Sequence, residues 1–225
     1  MKTAHLFSRF LVLISFLGVV PFLGNAQEKD EMPQYQTLFG NNITYGGYGS
    51  LMFGYTKVGD YDAFASGFRG AWIVGHSIAL GIEGNGFISE LTTGILPDEE
   101  YSFITGGYGG LLIEPILFAL KPVHVSLPLV MGAGAVVFES NNNTYSSYHN
   151  NYYHTDYDQF FVLEPGIELE FNITRFFRLA MGGKYRFTSD IELTSRNISN
   201  ETLTILDNNA LNNPTFYLGL KFGKF

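Results

Sequence analysis

Residues 160 to 187, FFVLEPGIELEFNITRFFRLAMGGKYRF, state a two-residue period on both sides of a turn, and that period restricts this part of the chain to paired β-strands. Phe161, Leu163, Pro165, Ile167, Leu169 and Phe171 fall on one face of the first half. Phe160, Val162, Glu164, Gly166, Glu168 and Glu170 fall on the other. After Asn172-Ile173-Thr174 the alternation resumes, with Phe177, Leu179, Met181, Gly183, Tyr185 and Phe187 on the apolar side and Arg178, Gly182, Lys184 and Arg186 opposite. A three-residue loop there predicts that Phe171 pairs with Arg175 and that Glu168 stands across from Arg178. The apolar face is tiered as well: Phe171 and Phe177 at the turn, mostly aliphatics in the middle, and Phe161, Tyr185 and Phe187 at the open end. A strand crossing a bilayer needs such tiers, because aromatics sit at the two interfaces and aliphatics in the hydrocarbon.

The N-terminus reads as an export signal. Lys2 and Arg9 precede an apolar run from Phe10 to Phe22, and Gly24-Asn25-Ala26 supplies the small residues of a cleavage site, so residues 1–26 are expected to be removed after Ala26. The run is short for a bilayer span, and polar QEKDE follows at once. Cysteine is absent, which excludes a disulfide framework, a lipid-modified N-terminal Cys and thiolate metal or redox chemistry. With 13 basic residues against 21 acidic, the chain is at net −8 and becomes more acidic once Lys2 and Arg9 leave. That balance argues against a nucleic-acid partner. Past residue 26 no window suits a membrane helix, yet 21 Phe and 14 Tyr with only 15% charged residues leave much apolar surface to cover. A closed barrel in the outer membrane, in contact with its lipid, covers it. The expected organisation is a signal peptide (1–26), a polar periplasmic lead-in (27–42) and an all-β, eight-stranded antiparallel up-and-down transmembrane barrel (43–225).

The strands follow in order. The first runs from Ile43 to Lys57, turns at Val58–Tyr61, and is followed by a second from Asp62 to Val74. Gly75-His76-Ser77 then reads as a three-residue turn pairing Val74 with Ile78, which sets Arg69 opposite Glu83. The fourth, Tyr101 to Leu117, contains GGYGGL, an echo of GGYGSL in the first. The fifth spans Val123 to Phe138, and the last is PTFYLGLKFGKF. Pro115, Pro128 and Pro165 fall inside strands, where each should mark a bulge or a lost ladder bond. Short connections at 75–77, 118–122 and 172–174 alternate with long ones at 89–100, 139–158 and 189–213, where Ile191-Glu192-Leu193 and Leu203-Thr204-Ile205 are read as prolonging the flanking strands. With both termini periplasmic, the long loops lie outside the cell. Phe222 and Phe225 on the terminal strand are the expected signal for the outer-membrane insertion machinery. Phe225 is out of phase with Phe222, Leu220 and Leu218, so a bulge at Gly223 or joint use of both aromatics is required.

An eight-stranded barrel is too narrow to leave interior charges in free water. Arg69, Glu83, Glu114, Glu164, Glu168, Glu170, Arg178, Lys184 and Arg186 are therefore expected to form a lumen ion-pair network that plugs it. Between 139 and 158 the loop ESNNNTYSSYHNNYYHTDYD offers Tyr145, Tyr148, Tyr152, Tyr153 and Tyr157 as a candidate binding surface for an external ligand the sequence leaves unnamed. His149, His154, Asp156 and Asp158 match no ligand spacing, and no metal or cofactor is expected. His124-Val125-Ser126 places a His and a Ser on one face, the couple that with a carboxylate runs acyl transfer, as in outer-membrane lipid A deacylases. It sits beside a periplasmic turn and faces the lumen, so a structural or surface-interaction barrel is favoured over a lipid-modifying enzyme and over a narrow pore. A soluble lipocalin-like calyx would invert the two faces.

GAWIVGHSIALG, FFVLEPGIELEFNITRFFRL, KYRF and the terminal LKFGKF resemble the small outer-membrane β-barrel proteins of Bacteroidota over about Tyr45 to Phe225, loops excepted. The resemblance implies the fold and the compartment and names no ligand.

Overall fold

The computed structural model describes residues 44–91, 101–141, 154–196, 202–206 and 208–225; the expected signal peptide (1–26) and lead-in (27–42) lie outside the described residues. The strands are β1 (Tyr45–Val58), β2 (Tyr61–Val74), β3 (Ile78–Leu91), β4 (Tyr101–Leu117), β5 (Val123–Ser126), β6 (Leu129–Asn141), β7 (His154–Asn172), β8 (Phe177–Tyr185), β9 (Phe187–Thr188), β10 (Leu193–Arg196), β11 (Thr202–Leu206) and β12 (Pro214–Lys224). Neighbours pair antiparallel, and β12 pairs with β1 to close the ring. β5 with β6 forms one stave and β8 with β9 another, so the wall is an eight-stranded up-and-down barrel. The connections follow from local chemistry: Gly59, with a φ of 58°, makes the β1–β2 turn, and Gly75 and His76, with φ of 61° and 58°, make the β2–β3 turn.

Prolines account for both interrupted staves. Pro128 breaks the fifth, read from sequence as continuous, but only the bond its missing N–H would donate is lost, since its carbonyl still accepts the Gly166 N–H at 2.8 Å. Ile113 opposite Leu129 and Ile116 opposite Ser126 belong to one register, with no residue inserted. The seventh stave is interrupted at Arg186, beside Tyr185, which pairs with Pro214 on one side. On its other side the continuous register from Gly166–Lys184 to Leu163–Phe187 sets Tyr185 across from Pro165. Neither proline has an N–H to give.

The β7–β8 register corrects one expectation. Asn172, not Phe171, is the last paired residue of β7, Phe171 pairs with Leu179, and Glu168 stands opposite Gly182 rather than Arg178. The wider turn arises because the Thr174 hydroxyl accepts the N–H groups of Phe176 and Phe177, at 3.3 and 3.0 Å, and occupies what a tighter loop would have paired. The displacement is an even number of residues, so every side chain keeps its face.

The wall is apolar outward and polar inward. Ile82, Phe68, Trp72, Leu111, Ile167, Leu218 and Phe216 are exposed, whereas Arg69, Glu83, Glu114 and Glu168 are buried. A calyx in water would have these reversed; a surface of this kind needs hydrocarbon around it. Aromatics mark both rims, with Tyr45 against Trp72 (5.5 Å between ring centroids) and Phe177 against Phe222 (4.9 Å) at the short-turn end and Tyr185 against Phe187 (4.7 Å) towards the loop end.

The last long loop does not prolong its flanking strands. β10 and β11 pair with each other as a separate two-stranded hairpin. Ile191, Leu193, Leu206, Ala210 and Leu211 are buried in one cluster with wall residues Val58, Ala63, Phe87, Ile104, Val136, Phe138, Phe160 and Val162. The loop is thus an apolar lid seated in the barrel mouth, because its aliphatics find a dry surface there.

Candidate functional site

The alternation of each strand delivers charged side chains to the interior from every part of the wall, and the structure brings all nine sequence-predicted lumen residues into the barrel, buried. Arg69 is the hub on β2: its Nε donates to Glu83 Oε2 at 2.7 Å, and its NH1 lies 3.1 Å from Glu168 Oε2 and 3.4 Å from Glu114 Oε1. Lys184 bridges Glu83 and Glu164. Arg178 meets Glu170 (3.3 Å) in place of Glu168, and both surround His124, whose Nε2 is 3.1 Å from Glu170 Oε2 and from Arg178 NH1. Arg186 stands apart from the carboxylates. Its Nε donates to the lid carbonyl of Leu211 at 2.7 Å and its NH2 to that of Lys57 at 3.3 Å, while its guanidinium lies over the rings of Phe87 and Tyr108.

Four participants were not singled out from sequence. Lys221 on β12 reaches Glu114 (2.7 Å), Glu170 (2.9 Å) and Glu168. Those carboxylates offer ligand atoms all within 4.8 Å of one another, the spacing of a cation site, and the Lys221 ammonium is the cation they hold. Tyr48, Tyr108 and Tyr217 each donate a hydroxyl to one glutamate: Tyr48 to Glu114, Tyr108 to Glu164 (2.6 Å) and Tyr217 to Glu168 (2.6 Å). Strand parity carried the signal for all four. Lys221 and Tyr217 alternate with the outward Phe216, Leu218 and Phe222, and the repeated GGYG places Tyr48 and Tyr108 inward.

The repeat also has a spatial reason. A Cβ on Gly106 would stand 2.2 Å from the Phe87 ring, and one on Gly46 would stand 2.2 Å from the Lys224 carbonyl oxygen, so each inward glycine before the tyrosine admits a neighbour. At the short-turn end the register from Gly49–Phe222 to Gly47–Lys224 is unbroken, so there is no bulge at Gly223. Phe225 turns inward, stacks on Tyr48 at 6.1 Å and lies 3.8 Å below the Arg178 guanidinium.

The interior is therefore layered, with Phe225, Tyr48, Ile73 and Ile116 at one end, the ionic and tyrosine layer in the middle, and the lid at the other. No protein-family model and no curated relative matches the chain. Solved structures do. Neisserial surface protein A superposes with a TM-score of 0.50 at 9% identity, covering 82% of this chain and 100% of that one. A major outer membrane protein from Thermus thermophilus gives 0.51 at 10% identity, covering 80% and 99%. The shared feature is the small outer-membrane barrel fold.

Within that barrel His124 and Ser126 both face the lumen and are buried, His124 is engaged by Glu170 and Arg178, and the Ser126 hydroxyl has no hydrogen-bond partner among the described residues. The geometry of a hydrolytic couple, a hydroxyl bonded to the imidazole, is thus not present there. Of the candidate binding loop, Tyr157 is described. It lies on β7 and is 66% exposed, while Tyr145, Tyr148, Tyr152 and Tyr153 lie outside the described residues. β6 and β7 climb further than expected, pairing Ser140 with His154 and Phe138 with Asp156, so the connecting segment narrows to 142–153.

Proposed function

We propose that this chain is an exported barrel of the bacterial outer membrane, of the Bacteroidota kind its residues resemble, that works as a rigid closed scaffold for contacts made at its loop end. The observation that carries the reading is the filled interior. An Arg69-centred network with Lys221 spans the lumen, the lid covers one mouth, and Phe225 packs into the other. Each buried charge in this network is compensated by its partners, and removing one partner would leave the other uncompensated at a cost of roughly 3–5 kcal/mol. In this reading residues 1–26 direct export, the short-turn end faces the periplasm, and Phe222 presents the outward aromatic to the insertion machinery while Phe225 serves the plug. The exposed Tyr157 supports a contact surface above the membrane, and the Neisserial neighbour is itself a surface protein.

Single-channel recording in planar bilayers tests the closed interior. Silence across a wide salt range is expected, and reproducible conductance steps would establish the narrow-pore reading instead. Deleting residues 142–153 tests the loop. The barrel should assemble with unchanged heat-modifiable mobility and lose the contacts made at its loop end, and a deletion that fails to assemble would contradict a surface role.

A further inference from the structure

Among the described side chains, the two ends of the barrel carry opposite charge. At the loop end Asp60, Asp62, Glu139, Asp190 and Glu192 are exposed alongside Lys57. At the short-turn end Lys121, Arg175 and Lys224 are exposed, and residues 44–47, 74–78, 115–123, 171–177 and 222–225 include no Asp or Glu. Lys121, Arg175 and Lys224 form no ion pair with a described residue.

These cations occupy one continuous sector of the rim. The turn bearing Lys121 is tied to the β7 end by Asn172, whose Nδ2 donates to the Lys121 carbonyl at 2.8 Å and whose N–H donates to that of Pro122 at 2.9 Å. The turn bearing Arg175 is tied to β12 by the Gly223 N–H, which donates to the Phe176 carbonyl at 2.9 Å. The same turns hold out apolar side chains beyond the strand ends: Phe118 is 74% exposed, Leu120 84%, Phe176 63% and Ile173 56%. They continue the outward wall of Leu117, Val123 and Phe222.

Apolar tips with cations among them, continuous with a hydrocarbon-facing wall, match the boundary between acyl chains and phosphates. The tips lie in hydrocarbon and the long cationic side chains reach the phosphate level. From this geometry we infer that the sector formed by Lys121, Arg175 and Lys224 is a binding surface for the headgroups of net-anionic phospholipids, which fixes the depth of the short-turn end in its leaflet. Charge complementarity selects the occupant, since a zwitterionic headgroup carries its own counter-charge. The inference rests on the membrane-spanning reading above.

The test uses the full chain in liposomes, with spin-labelled phosphatidylglycerol and phosphatidylcholine compared by electron spin resonance for the fraction of immobilised lipid. The wild type should prefer phosphatidylglycerol by about fivefold or more, the effect of a single Lys or Arg near a membrane surface. The preference should fall towards unity in Lys121→Gln/Arg175→Gln/Lys224→Gln and in the wild type at high salt, and should survive Lys57→Gln at the other end. Equal immobilisation of both lipids by the wild type, a salt-independent preference, or one retained by the triple variant would overturn the inference. Should the triple variant fail to assemble, the salt series on the wild type still decides it. A wild type that immobilises neither lipid would overturn the membrane reading as well.

Discussion

Lys221 illustrates why charge in a narrow barrel has to be satisfied residue by residue. Its ammonium is shared by Glu114, Glu168 and Glu170, and Arg69 holds Glu114 and Glu168 from the other side. Lys221→Met should leave these carboxylates crowded with one cation fewer and lower unfolding stability by about 3–5 kcal/mol, the cost of orphaning a buried charge. Tyr217→Phe removes one hydrogen bond to a charged group and should cost about 1.5–3 kcal/mol. Urea titration in lipid vesicles, followed by the folded-form gel shift, ranks the two, and a Lys221→Met barrel as stable as Tyr217→Phe would contradict the cluster. Parity made the inward faces legible in the sequence, Arg69 and Glu83 among them. Which carboxylate each cation reaches was not legible, because Arg69 and Glu168 sit on staves that are not neighbours and meet only across the lumen.

Among the elements, the two hairpins read by the same logic came out differently. Gly75-His76-Ser77 sets Val74 against Ile78 and therefore Arg69 against Glu83. At the β7–β8 turn the Thr174 hydroxyl competes for backbone N–H groups, a choice that strand alternation does not encode. The prolines were legible as lost ladder bonds, but their concentration around Pro128 and Tyr185 needed the register of neighbouring staves. The lid was not legible, since Ile191, Leu193 and Leu206 alternate as well in a free hairpin as in a prolonged strand. Arg186 and Gly59 hold the lid by its main chain, through the carbonyls of Leu211 and Ala210. Leu211→Asp places a charge in the apolar cluster and should release the lid while the wall, which shares none of its strand hydrogen bonds with β10 or β11, stays closed. Limited proteolysis should then cut between β10 and β11 many times faster with heat-modifiable mobility unchanged; an unaltered cutting rate would show that the cluster does not hold the lid.

For the whole molecule, the deciding property is which side of the wall meets hydrocarbon, because strand alternation alone fits a barrel and its inside-out counterpart equally well. Few charges on the aliphatic face and aromatics at both rims broke that symmetry in the sequence, and the exposure of Ile82 and Leu169 against the burial of Arg69 and Glu168 follows the same division. A single residue can report it. Trp72 is the one tryptophan of the chain, stands on the outer face of β2 at 58% exposure, and lies beside Tyr45 near the short-turn rim. Its fluorescence should be blue-shifted in bilayers, quenched by lipids brominated on the acyl chain close to the interface, and insensitive to iodide in the surrounding water. Strong iodide quenching with no response to brominated lipid would place the apolar wall in water and contradict the account.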